Sequence, residues 1–384
     1  MTRDLVSTTR RVAPIALNEA IGPILWIAGL GVFTRLLLLL IVNPSVDVFG
    51  GDSVAYATGA RASLYSLFAM EIPWRVLIML QCMLTIGSGV GAFLILRNVW
   101  AGLAIVACPF LAFFDFRVLS ECLYVNLTFW AFLLYRTRWW SGGFLGLAIL
   151  TRAIFVLLPA AVFLTRRTRQ SAIFAATAFL ISLPILALPP TSPGMNLWIG
   201  TWERDPQWYF KGLDNPSFPS YARVTPEESA AVADGDDGYL LHAAVGRIES
   251  NPFQVITTWA IRYPRLWIGT RSDQIEWRFH GMGWVILKCL FFTLNLSILA
   301  FGAWGLMKRP LFAIPVIYTA LIYIPFHNDE TRYSLAALPF LICAGILRLT
   351  QGPEMGTERN RSPTLFRWGQ LSAVIPRRSV GGRL

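Results

Sequence analysis

The chain has 384 residues, of which 55% are hydrophobic and only 14% charged, and its formal net charge is +11. A soluble domain carries roughly 25% charged residues. The composition therefore excludes an ordinary soluble protein, and the apolar residues gather in runs of the ~18–20 residues that a helix needs to cross a bilayer.

These runs are continuous, so a transmembrane barrel with period-two strands is excluded and helices are left. The arginines lie beside the apolar runs and in the tail, where topology signals and anionic-lipid contacts are found, so nucleic acid is not a partner. The first span is expected at 20–42, after a basic start that the positive-inside rule keeps cytoplasmic. It is too long for a signal peptide and has no small-residue cleavage site after it, so it is expected to stay as a start-transfer helix. The loop 43–72 is then on the outer side and carries 50-GGDSVAYATGAR-61. Spans follow at 73–96 and 100–114, then a short loop, 115-DFRVLSE-121, and a span at 122–135.

The segment 142–164 is bracketed by 136-RTR-138 and 166-RRTR-169. Keeping both arginine clusters inside favours a hairpin of two short helices with Arg152 at its tip over a single span. Each arm is about twelve residues, roughly 18 Å, which is short of ~30 Å of hydrocarbon. A span at 172–188 leads to a hydrophilic insert, 191–283, with most of the acidic residues. Within it, 239–252 and 253–269 have helical periodicity, and the second reads as an amphipathic helix in the membrane interface. The cluster Trp198, Trp202, Trp208, Tyr209 and Phe210 reads as an interfacial belt or a sugar-stacking surface, with the belt preferred. The last spans are expected at 284–306, 311–326 and 334–347, before a basic tail. Five cysteines lie in or beside apolar runs with no CxxC pair and read as small core residues.

Lone charges cluster on the outer side of this map: Asp47, Asp52, Asp115, Arg117, Glu121, Arg152, His327, Asp329, Glu330 and Arg332. Charges at membrane depth are costly and usually functional. A carboxylate takes a proton from a hydroxyl, and arginine binds phosphate with a planar fork. Each has a plainer reading. Asp52 serves as an N-cap, and Glu121 as an acid favoured by a helix dipole. Arg152 snorkels on a true span, Arg332 pairs with Glu330 or Asp329, and Asp47 and His327 are polar edge. Arg35, inside the first span, reads as one half of a buried pair or as a snorkelling side chain.

Four ordered motifs carry a resemblance: Asp52-x-x-x-Tyr56 after the first span, Ser120-Glu121, Gly142-x-x-x-Gly146 with Thr151-Arg152, and Arg332-Tyr333 with Pro339. Together they resemble the GT-C superfamily of polytopic glycosyltransferases, in tone the family-39-like group of protein O-mannosyltransferases and lipid A aminoarabinose transferase. The resemblance implies a cell-envelope enzyme that uses a polyprenyl-phosphate sugar as donor. Its acceptor is a glycan, lipid or protein at the extracytoplasmic face, and inversion results from in-line attack. It implies Asp52 as general base; Glu121 is the second expected catalytic residue, orienting the acceptor or helping to hold a divalent ion. The chemistry then needs a cation at the departing phosphate, which Arg152, Arg332 or Arg117 is expected to supply, and Tyr56, His327 and Tyr333 are expected to line the substrate. A divalent cation is left open, held if present by Asp52 and Glu121; many relatives have an acidic pair where this chain has Asp52-Ser53.

The expectation is thus an all-α polytopic membrane protein of the plasma membrane with about eight full transmembrane helices, a short-helix hairpin and one extracytoplasmic mixed helical insert. Both termini are expected to be cytoplasmic. Its parts are a cytoplasmic N-terminus (1–19), a transmembrane catalytic module (20–189), an extracytoplasmic loop domain (190–283), C-terminal transmembrane helices (284–349) and a basic cytoplasmic tail (350–384). The rival function is a transporter or flippase for a lipid-linked saccharide. A third is a scaffold that binds a partner through the insert.

Overall fold

The computed structural model describes residues 17–41, 63–135, 138, 140–187, 193–202, 224–268, 281–326 and 331–350. Every described element is a helix. α1 spans Leu17–Ile41, α2 Leu64–Glu71 and α3 Trp74–Leu96. Then come α4 (Val99–Ala107), α5 (Pro109–Asp115) and α6 (Ser120–Leu133). α7 (Ser141–Thr151) and α8 (Leu158–Arg166) flank a 3₁₀ turn at Ala153–Phe155, and α9 is Arg169–Ser182. The insert supplies α10 (Pro193–Gly200), α11 (Pro226–Asp234), α12 (Asp237–Ser250) and α13 (Pro252–Ile268). α14 (Met282–Leu306) and α15 (Pro310–Ile322) follow. After a 3₁₀ segment, Thr331–Ala337, comes α16 (Leu338–Thr350).

Four described segments are long and apolar enough to cross a membrane: Asn18–Leu40, Trp74–Leu96, Met282–Leu306 and Tyr333–Thr350. Their amphipathicity is inverted relative to a soluble helix. α3 turns Leu77, Gln81, Thr85, Ser88 and Ala92 inward, one stripe at helical spacing. It leaves Met79, Leu80 and Met83 exposed. α1 and α14 likewise expose Leu25, Trp26, Leu36, Val285, Ile286 and Leu290. Buried polar groups beneath an exposed apolar surface mark a membrane protein.

The other apolar helices are short, and their breaks have local causes. The expected span 100–114 is two helices, because Pro109 has no N–H and Cys108 adopts an extended backbone (φ −67°, ψ 112°). The segment around Arg152 doubles back. Gly142 lies against the backbone of Phe174 and Gly146 against Ala178, so α7 runs alongside α9 in the same sense. α8 turns into α9 through Arg167 and Thr168 and therefore runs the opposite way. Gln170 Nε2 donates to the carbonyl of Tyr135, tying the two ends of this hairpin together. Arg152 is at its tip. Glycine is what permits the approach: a Cβ at Gly142 would sit 2.1 Å from the Phe174 carbonyl oxygen. α14 and α16 meet in the same way, with a Cβ at Gly305 placed 2.2 Å from the backbone of Ala344.

The described part of the insert has its own small core. Trp198, Ile199, Trp202, Val224, Ala231, Leu240 and Ala244 are buried together. Thr225 and Glu228 form a capping box at the start of α11. Glu228 also accepts from Trp198 Nε1 (3.0 Å) and pairs with Arg247, whose guanidinium lies 3.8 Å from the Trp202 ring centre. Burial pulls Arg247 below its ordinary range, and Glu228 pulls it back. Trp198 and Trp202 are therefore core residues and not the interfacial belt expected of them; Trp208, Tyr209 and Phe210 lie outside the described residues. α13 docks on the membrane helices: Leu266 packs with Tyr323 and Tyr333, and the carbonyl of Trp267 accepts from Asn295 in α14.

Candidate functional site

A buried polar network fixes the loop that leads to Glu121. Asp115 ends α5 and is fully buried. Arg35 of α1 binds its Oδ2 through Nε (3.0 Å) and Nη2 (2.6 Å). Oδ1 accepts from Thr85 (2.7 Å) and from Cys122 Sγ (3.1 Å). Arg35 Nη1 also donates to the carbonyl of Val106 (2.9 Å), a group that the break before Pro109 leaves out of the helical ladder. Gln81 donates to the carbonyls of Asp115 (2.9 Å) and Arg117 (2.8 Å) and accepts from the Tyr65 hydroxyl (2.7 Å). Asn126 and Ser88 extend the network along α3 and α6. Three helices thus hold the 115–119 loop from behind.

That loop delivers Glu121 into the first turn of α6, where the helix dipole favours an acid. Arg152 caps α7 with an extended backbone (φ −150°), so its side chain leaves the helix tip sideways. The two meet: Arg152 Nη1 lies 2.8 Å from Glu121 Oε1, with Glu121 only 2% exposed. The guanidinium lies over the rings of Tyr124 (5.1 Å) and Tyr333 (4.9 Å), a cation–π arrangement. Tyr333 stacks on Tyr323 at 5.0 Å. The Tyr318 hydroxyl donates to the carbonyl of Ile154, tying α15 to the hairpin tip.

The cluster is recessed. Trp267 packs against it, and Trp267 is tied to Asn295, residue 14 of the 25 in α14. α14 is roughly 37 Å long at 1.5 Å per residue, so the cluster lies beside its middle. α7, α8 and α15 have 11, 9 and 13 residues, too few to cross a bilayer alone, and they end around this point.

The structure therefore brings together Glu121, Arg152 and Tyr333. Arg332 lies beside Tyr333 in the 3₁₀ segment. Arg117 is buried in the 115–119 loop. Asp52, Tyr56, Asp47 and His327 lie outside the described residues. Tyr124, Tyr323 and Trp267 were not singled out in the sequence. Tyr124 carried one signal, its place three residues after Glu121 and so on the same helix face. Arg35 finds its partner in Asp115.

Among the described residues no group of three or more His, Cys, Asp or Glu is placed to hold a metal ion. Glu121, the described member of the expected cation pair, already binds a guanidinium through Oε1. Asp52, the other member of that pair, lies outside the described residues.

No family model, no curated protein and no solved structure matches this chain.

Proposed function

We propose that this protein is a GT-C-type membrane glycosyltransferase. It moves a sugar from a polyprenyl-phosphate donor to a glycan, lipid or protein acceptor at the extracytoplasmic face. The observation that carries the reading is the meeting of three motifs from distant parts of the chain. Ser120-Glu121, Thr151-Arg152 and Arg332-Tyr333 converge on the hairpin tip, where Arg152 contacts both Glu121 and Tyr333. In this reading about eight spans arise when short apolar helices pair end to end or stack, with both termini cytoplasmic in the plasma membrane.

The chemistry asks for little more. A polyprenyl phosphate is a good leaving group, so the demands are a base at the acceptor hydroxyl and a cation at the departing phosphate. Asp52 takes the acceptor proton as the hydroxyl oxygen attacks the anomeric carbon. The bond from that carbon to the phosphate oxygen breaks on the opposite side, and the configuration inverts. Arg152, with Arg332 and Arg117, receives the negative charge on the phosphate. Glu121 holds Arg152 in place.

One observation favours the rival transporter. The helix broken at Cys108–Pro109 beside the buried Arg35–Asp115 pair is a device of transport proteins. Both readings face the same experiment. Deleting the gene and profiling cell-envelope glycans by mass spectrometry should remove one sugar from a finished glycan, with its polyprenyl-phosphate donor accumulating. Moving tagged donor across proteoliposomes with no change in any glycan linkage would replace the transferase with the flippase.

A further inference from the structure

The recessed cluster contains two buried donors that have no hydrogen-bond partner among the described residues. The Tyr323 hydroxyl is buried and has no hydrogen-bond partner among the described residues, and the residue is only 3% exposed. The indole N–H of Trp267 is also buried and has none. Buried donors are almost always satisfied, because leaving one unmade forfeits its hydration. Two such groups in one cluster call for an account beyond packing.

Their surroundings are specific. Tyr323 stacks on Tyr333, whose ring carries Arg152. Trp267 packs against the cluster that Leu266, Tyr323 and Tyr333 form, and its carbonyl accepts from Asn295. The two groups enter from different parts of the chain, one from the end of α15 and one from the insert. An indole N–H only donates, and a guanidinium only donates. The described groups therefore ask for an acceptor with several oxygens. Because Glu121 offsets the charge of Arg152, neutral donors are what remain to share a further negative charge. α14 passes beside the cluster with Leu290, Leu294 and Leu296 exposed on its surface, where hydrocarbon is the neighbour.

We propose that Tyr323 and Trp267 are substrate-binding residues that donate, beside Arg152, to the phosphate oxygens of a polyprenyl-phosphate lipid. This rests on the glycosyltransferase reading and adds two residues that no sequence motif marks. It also gives the insert a task, since α13 completes the phosphate site from outside the transmembrane helices.

The test uses the purified full chain in lipid nanodiscs, with undecaprenyl phosphate as probe and undecaprenol and inorganic phosphate as controls. Tyr323→Phe keeps the ring and removes one donor; Trp267→Phe removes the other donor together with part of the indole. Each should weaken undecaprenyl phosphate binding about tenfold, the scale of one lost hydrogen bond to a charged group. Tyr323→Phe should melt at an unchanged or higher temperature, since an unpaired buried donor is removed with the ring kept; Trp267→Phe loses packing as well, so its affinity is read on protein shown to be folded. A merely structural hydroxyl would not separate affinity from stability in this way. Full affinity in both variants overturns the inference and leaves the transferase reading standing. Equal binding of undecaprenol, or equal competition by inorganic phosphate, also overturns it. Weakened binding in the variants with no sugar transfer by the wild type would keep the phosphate site and remove the transferase.

Discussion

Glu121 and Arg152 depend on each other. Glu121 is almost wholly buried, and Arg152 is the charge that makes this tolerable. Arg152→Gln should destabilise the protein by roughly 3–5 kcal/mol, the usual cost of stranding one member of a buried pair. Glu121→Gln should cost less, because Arg152 is partly exposed, and the double variant should recover part of the loss. Thermal unfolding in detergent of the four proteins completes the cycle; purely additive losses would mean the pair is not coupled. Asp115→Asn is the second case at this scale. It weakens the acceptor for Arg35 in a fully buried setting and should lower the yield of folded protein in the membrane fraction, where Asp47→Asn should not.

The same residues show what a sequence can and cannot disclose. Glu121 and Arg152 stood out because a charge in an apolar run is rare and expensive. Tyr124, Tyr323 and Trp267 did not, because aromatic residues are ordinary in membrane helices and at their borders. Arg35 and Asp115 were each visible as outliers. Eighty positions separate them, and no local pattern links side chains that far apart.

At the scale of elements, glycines set how closely the helices approach. Gly305→Val should cost about 1–3 kcal/mol, because its Cβ would collide with the backbone of Ala344, which cannot swing away. Gly29→Ala is the control: nothing lies within 4 Å of its added Cβ, and alanine in a helix interior gains ~0.5–1 kcal/mol over glycine. Parallel melting curves should move in opposite directions. Glu228 plays a comparable part in the insert, where one carboxylate serves a cap, an indole and a guanidinium. Glu228→Ala should open the insert to limited proteolysis while the membrane helices stay protected. Equal protease resistance in wild type and variant would contradict that role.

Element boundaries were less legible than element type. Apolarity carries through Cys108 and Pro109 without a dip, so hydropathy reads one span where backbone chemistry imposes two helices. The doubling back at Arg152 was legible, because arginines flank the segment on both sides. The role of Trp198 and Trp202 was not. A small insert must bury large side chains somewhere, and two tryptophans four residues apart look the same in a core as on a membrane surface.

For the whole molecule, inverted amphipathicity and buried charge belong to one arrangement. Helices with lipid-facing apolar surfaces enclose a polar network that holds one loop, and the loop presents Glu121 to Arg152 at a recessed point. α13 reaches that point from the insert, so the hydrophilic and membrane parts meet where Glu121 and Arg152 pair. The most direct test is sugar transfer in proteoliposomes containing the full chain, supplied with a panel of radiolabelled polyprenyl-phosphate hexoses and pentoses and cell-envelope acceptor extract. The wild type should move label from one donor into acceptor. Asp52→Asn should lower the rate by at least about a hundredfold, the scale of general-base catalysis, at normal protein level and with donor binding retained. Undiminished transfer by Asp52→Asn, or no transfer from any donor by the wild type, would contradict the account.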